Sequence, residues 1–139
     1  MRALLDTCAL FELQRPRADL RVRARVEKLD PDALFLSVIT LGELTKGVAS
    51  LPESRRRTEL RSWLMGLEQR FADRILGIDA DVTHLWGELT ARTQAQGVRV
   101  PVGDGLIAAT ALRRGLTVVT RNTRHVAASG AVILDPWNE

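Results

Sequence analysis

Short apolar runs alternate along this chain with longer stretches whose apolar residues recur at helical spacing. Ala3-Leu4-Leu5 predicts a short, fully buried strand, and Thr7 a cap for a helix through Leu13 that Pro16 breaks. Val22, Val26 and Leu29 then repeat with helical period until Asp30-Pro31-Asp32. Phe35-Leu36-Ser37-Val38 predicts a second buried strand. Thr40 follows as the cap of a helix, and Thr40-Leu41-Gly42-Glu43 has the form of a capping box. Pro52 opens a helix with the apolar stripe Leu60, Trp63, Leu64, Leu67 and Phe71. Ile75-Leu76-Gly77-Ile78 predicts a third strand. Asp79 or Asp81 starts a helix with Val82, Leu85, Trp86 and Leu89 on one face, ending near Gly97. The helix from Asp104 to Arg114 is apolar on most sides, which puts it at the centre of the fold. Gly115 ends it, and Thr117-Val118-Val119-Thr120 and Ala131-Val132-Ile133-Leu134 complete the strands.

Continuous apolar strands that alternate with helices predict an α/β fold: a three-layer α/β/α sandwich around a short, mainly parallel sheet. A length of 139 residues suits one domain, residues 1–139, with no repeat or linker. The one cysteine, Cys8, allows no intrachain disulfide, which fits a reducing cytoplasm. It has apolar flanks and no basic partner, so it reads as packing rather than as a nucleophile. Acidic Asp6 interrupts the N-terminal apolar stretch too early for a signal peptide, and no apolar run approaches the roughly 18 residues of a membrane span. The net charge is +3, and the only lysines are Lys28 and Lys46, so the positive charge is almost all arginine. Arginine suits bidentate phosphate contacts. A biased coding composition would produce the same excess, so charge alone selects no partner.

The candidate chemistry lies in three acids. Asp6 closes the first strand, Glu43 follows the second, and Asp104 opens the central helix. In an open parallel sheet, strand ends and helix starts converge on one crevice. Carboxylates gathered there repel, and a hard divalent cation such as Mg²⁺ relieves the repulsion with few protein ligands. Each acid also has a purely structural role open to it. Asp6 could serve the dipole of the following helix, Glu43 the capping box, and Asp104 an N-cap. Asn122, just past the strand ending at Thr120, is either a turn residue or a fourth polar group of the site. His125 reads as a surface residue or a support behind the site, His84 is too distant in the pattern, and no zinc-type spacing is present.

Four motifs, in order, carry a resemblance that spans essentially the whole chain. Leu4-Leu5-Asp6-Thr7, Ser37-Val38-Ile39-Thr40-Leu41-Gly42-Glu43-Leu44, Pro101-Val102-Gly103-Asp104-Gly105-Leu106-Ile107-Ala108-Ala109-Thr110-Ala111 and Val119-Thr120-Arg121-Asn122 closely resemble the PIN-domain ribonucleases. Among these the chain looks like the VapC toxins of toxin–antitoxin pairs. The resemblance implies an endoribonuclease that hydrolyses RNA phosphodiesters at Mg²⁺, with Mn²⁺ the alternative ion, held by Asp6, Glu43 and Asp104. It makes Thr7 and Asn122 positioning residues. It also implies a cognate VapB-like antitoxin and a homodimer; the lone cysteine and the lack of a signal-peptide or membrane-span pattern point to a cytoplasmic location with no membrane partner. Arg121 and Arg124, beside the proposed site, are the first candidates for phosphate binding. The helix with Leu60, Trp63, Leu64 and Leu67 could form part of the antitoxin groove, or belong to core or dimer interface.

Two departures from the family pattern stand out. Asn122 occupies a position that is often Asp, which keeps an oxygen and loses a charge. Gly105 replaces the usual alanine, at a cost of about 1 kcal/mol in helix propensity. Rival readings are a binding-only module of the same fold, a DNA-directed nuclease, and a phosphoacceptor signalling domain. The last needs paired acids after the first strand and a lysine after a late strand, and neither is present.

Overall fold

The computed structural model describes residues 1–138. Five strands form one sheet: β1 (Ala3–Leu5), β2 (Leu34–Ser37), β3 (Ile75–Leu76), β4 (Thr117–Val119) and β5 (Ile133–Leu134). Every pairing is parallel, and the spatial order is β3-β2-β1-β4-β5. Seven α-helices connect them: α1 (Thr7–Gln14), α2 (Leu20–Glu27), α3 (Val38–Ala49), α4 (Arg55–Arg70), α5 (Ala80–Ala95), α6 (Val102–Arg114) and α7 (Thr123–Ala128). The three-layer α/β/α architecture is therefore as the alternation of apolar runs predicts, and the sheet is parallel throughout.

Strand side chains alternate between two cores, as the pleat requires. Ala3, Leu5, Leu34, Leu36 and Val119 face α1 to α4, with Leu44, Leu67 and Phe71 packed against them. Leu4 and Val118 face the other way, onto Ile107, Ala108 and Ala111 of α6 and Val126 of α7. The central placement of α6 follows from its small residues: Ala108, Ala109 and Ala111 are wholly buried. Ala109 completes a third cluster with Val82 and Leu89 of α5. Gly115 takes the left-handed conformation at the end of α6, with φ of 68°, which a side chain would oppose.

Several predicted caps move by a few residues, with consequences for the site. Asp6, not Thr7, is the N-cap of α1, accepting the Thr7 backbone N–H. Ser37 caps α3, so Thr40 lies inside the helix, fully buried with its hydroxyl unpartnered, and the predicted capping box does not form. Asp104 lies in the first turn of α6, whose N-cap is Pro101, so the N-cap role is excluded for it. α4 begins at Arg55 behind a Ser54 cap rather than at Pro52. β3 is two residues long rather than four.

Candidate active site

The chain runs outward from β1 to β2 and β3 on one side, then returns to lay β4 and β5 on the other. The carboxyl ends of β1 and β4 thus flank the point where strand order reverses, the place where open α/β sheets form their crevices. Asp6 follows β1 directly, and its backbone N–H still pairs with the carbonyl of Val119 at 3.0 Å. Thr120, Arg121 and Asn122 follow β4.

One chain of hydrogen bonds ties the predicted residues together. The Thr7 hydroxyl donates to Glu43 Oε1 at 2.7 Å, and the Thr7 N–H donates to Asp6 Oδ1 at 2.7 Å. The second Asp6 oxygen accepts from the Thr120 hydroxyl at 2.8 Å. Thr120 Oγ1 in turn accepts the Asn122 N–H at 2.9 Å. The Asn122 side-chain amide donates to Asp104 Oδ2 at 2.6 Å. Asp6, Thr7, Glu43, Asp104 and Asn122 are therefore gathered in one place. Glu43 also abuts the start of α6: a Cβ on Gly103 would lie 3.3 Å from its Oε2.

The electrostatics match this geometry. Burial pushes the Asp6 carboxyl above its ordinary value of 3.8, and the negative charges of Asp104 and Glu43 push the same way. Hydrogen bonds from Thr120 and Thr7 oppose the rise. Asp6 and Asp104 also sit at the positive ends of α1 and α6, where helix dipoles favour negative charge. The donor set is oxygen only, which suits Mg²⁺ or Mn²⁺ rather than zinc. Among the described residues no three His, Cys, Asp or Glu side chains converge closely enough, as placed, to hold a metal ion together. An ion here would complete its shell with water, as Mg²⁺ ordinarily does.

The neighbours fall into place around this chain. Thr120 is the residue that sequence reasoning missed; Thr117-Val118-Val119-Thr120 reads as β-branched strand, and only the pairing of β1 with β4 brings its hydroxyl to Asp6. His125 is closer to the site than its sequence context shows, with Nδ1 buried 3.4 Å from Asp104 Oδ2, outside hydrogen-bond geometry. His84 is exposed on α5, away from the hydrogen-bonded chain. Cys8 keeps its thiol: burial and the Asp6 charge push its pKa up, which opposes a nucleophilic role. Arg121 is exposed, with its guanidinium 5.6 Å from the centre of the Trp137 ring. Arg124 is exposed on α7.

Known proteins carry the same arrangement of elements. The PIN domain profile matches residues 3–130. The chain belongs to the PIN-domain family. The VapC ribonuclease Y4jK of Sinorhizobium fredii is 36% identical over 135 residues, covering 96% of this chain and 96% of that protein. The crystal structure of FitAcB from Neisseria gonorrhoeae superposes with a TM-score of 0.93 at 34% identity, covering 99% of both chains. A member of the VapBC family of toxin–antitoxin systems, VapBC-5 from Mycobacterium tuberculosis, matches with a TM-score of 0.65 at 30% identity. That match covers 95% of this chain and 94% of the other. In this PIN domain the four sequence motifs meet at the carboxyl ends of the central strands.

Proposed function

We propose that this PIN-domain protein is a metal-dependent endoribonuclease toxin that hydrolyses RNA phosphodiesters. The observation that carries the reading is the hydrogen-bonded chain joining Glu43, Asp6 and Asp104 through Thr7, Thr120 and Asn122. Three acids held together in one crevice cost stability, and a site that keeps such a cost has a ligand to offset it. The relation to a VapC ribonuclease supports RNA as the substrate.

Asp6, Asp104 and Glu43 would hold the divalent cation. When bound, the cation supplies positive charge against the pentacoordinate phosphorane and acidifies a water molecule. The chain's own residues prepare that site. Thr7 and Thr120 fix both oxygens of Asp6, one from each side, so the carboxylate cannot rotate freely. Thr7 also orients Glu43, leaving Oε2 on the α6 side. Asn122 orients Asp104 and contributes no charge. An Asp at 122 would set two carboxylates face to face, so the amide converts a repulsion into a bond and favours a single cation. In-line attack by water with departure of the 3′ oxygen leaves a 5′-phosphate and needs no RNA 2′-hydroxyl. The test is incubation of the purified, antitoxin-free protein with structured and single-stranded RNAs, with Mg²⁺ and with chelator. Metal-dependent products ending in 5′-phosphate are expected. A folded protein that cleaves none of them would favour the binding-only module.

We also propose a toxin–antitoxin pairing through a groove between α1, α2 and α4. It has a volume of about 560 Å³, and Leu10, Leu13, Leu60, Trp63, Leu67 and Phe71 line it. Arg56, Arg70 and Glu59 edge the apolar floor. An amphipathic antitoxin segment suits such a surface, apolar face inward. Trp63→Ala is expected to weaken capture of the co-expressed antitoxin at least tenfold by removing a large aromatic anchor. Unchanged affinity would move the interface elsewhere. The homodimer implied by the family is read in the same preparation from its light-scattering mass.

A further inference from the structure

A second, strongly polar pocket lies beside the acidic crevice, at the far end of α1. Its volume is about 340 Å³, and four arginines line it: Arg15, Arg17, Arg21 and Arg121. Two carboxylates share the pocket, Glu12 and Asp19, and both are already satisfied. Glu12 is only 6% exposed. It accepts from Arg15 Nη1 at 3.2 Å, from the Asp19 N–H at 3.2 Å and from Trp137 Nε1 at 3.4 Å. Asp19 is bound by Arg21 through Nη2 at 2.9 Å and Nε at 3.3 Å. That pairing holds its carboxyl down to about 2.

Among the described residues Arg15 pairs with Glu12 and Arg21 with Asp19, and no ion pair joins Arg17 or Arg121 to a carboxylate. The Arg121 guanidinium lies over the Trp137 ring, a contact that attracts the cation without neutralising it. Trp137 is itself buried and tied to Glu12, so its ring is a fixed platform rather than a base-stacking surface. The position along the chain matters equally. Arg121 stands between Thr120, bound to Asp6, and Asn122, bound to Asp104. Its backbone N–H donates to Cys8 at 3.4 Å. From Asp6, the N-cap of α1, to Glu12 is about 9 Å along the helix axis, at about 1.5 Å per residue.

We propose that this pocket is a subsite for a backbone phosphate of the RNA strand, one step away from the scissile phosphate, with Arg17 and Arg121 as its ligands. The assignment rests on the ribonuclease reading above and gives the bound strand a direction, from the acidic crevice across Arg121 toward the loop between α1 and α2. A guanidinium lying over a buried ring with a second one in the same pocket suits phosphate recognition without base reading. The sparse aromatic supply, at 4% of the chain, leaves backbone contacts as the main source of affinity.

The test measures binding of a short fluorescein-labelled single-stranded RNA by anisotropy across a salt series, in chelator so that no cleavage occurs. Removing one arginine–phosphate pair from a single-strand complex reduces the slope of log affinity against log salt by about 0.7. Arg17→Ala and Arg121→Ala are each expected to lower the slope by that amount and to weaken binding severalfold at low salt. Arg114→Ala, at the opposite end of α6, is expected to leave both unchanged. Metal-dependent RNA cleavage by the unaltered protein is scored in parallel. Cleavage together with unchanged slopes in both variants would overturn the subsite while the ribonuclease reading stands. If the variants lose antitoxin affinity while the RNA slope holds, the pocket serves a protein partner and the proposal fails. Absence of both RNA binding and cleavage in the folded, unaltered protein would overturn the reading on which the subsite rests.

Discussion

Asp6 carries more than one burden. It is 5% exposed, caps α1 and faces two other carboxylates. Its pKa is raised, so the folded state holds the proton more tightly than the unfolded chain does. The corresponding stability is present in acid, below the unfolded value of 3.8, and is lost as pH rises through the folded value. Asp6→Asn is therefore expected to abolish cleavage and, without metal at neutral pH, to raise the melting temperature. For a chain of this size each kcal/mol corresponds to about 4 °C. The gain should vanish as the pH is lowered through the carboxyl range in a thermal-unfolding series. A variant less stable than the unaltered protein at neutral pH would show that the capping and hydrogen-bonding roles of Asp6 outweigh its buried charge. The acids are legible in the sequence because each ends an apolar run or opens the helix that follows one. Thr120 is not, because a β-branched residue ending a β-branched strand carries no sign of the carboxylate opposite. The bond partners of Thr7 and Glu43 are also hidden: local spacing points to Thr40 for Glu43, while the fold supplies a hydroxyl from another helix, 36 positions away.

At the scale of elements, α6 explains the departure at residue 105. A Cβ there would lie 3.0 Å from both Cδ1 and Nε1 of Trp86 on α5. The glycine that costs helix propensity makes room for the indole, and the two helices pack closely around it. Gly105→Ala gains about 1 kcal/mol of propensity but overpacks the contact, which costs about 1–3 kcal/mol. The expected outcome is a net loss in urea unfolding, reversed when Trp86→Leu is added. A stabilised single variant would mean that the indole moves aside without cost. Asp104 is the preceding residue, so the same strain should lower cleavage. The long helices and buried strands are legible from period and apolar runs. α7 is not, since Thr123–Ala128 is too short to show a period and Asn122 makes no side-chain capping bond. β3, at the sheet edge, reads too long for a related reason: apolar residues continue past the two that pair with β2.

For the whole molecule, sheet order decides where chemistry happens. Placing β4 beside β1 joins residues more than a hundred positions apart, and this puts Asp6, Thr120, Asn122 and Asp104 around one crevice. The same arrangement sets the arginine pocket on one flank of the crevice, and the apolar groove lies along α1, α2 and α4. No helix among the described residues is long and apolar enough to cross a membrane. In the proposed mechanism three carboxylates act together on RNA through one divalent cation. The most direct test of that mechanism is the single-turnover cleavage rate against Mg²⁺ concentration for the unaltered protein, Asp6→Asn, Glu43→Gln and Asp104→Asn. A saturating Mg²⁺ dependence is expected in the unaltered protein and, in each variant, a rate lower by at least about 100-fold, equivalent to about 2.7 kcal/mol, with folding retained. Cleavage that persists in chelator, or that survives in Asp6→Asn and Asp104→Asn, would contradict the mechanism.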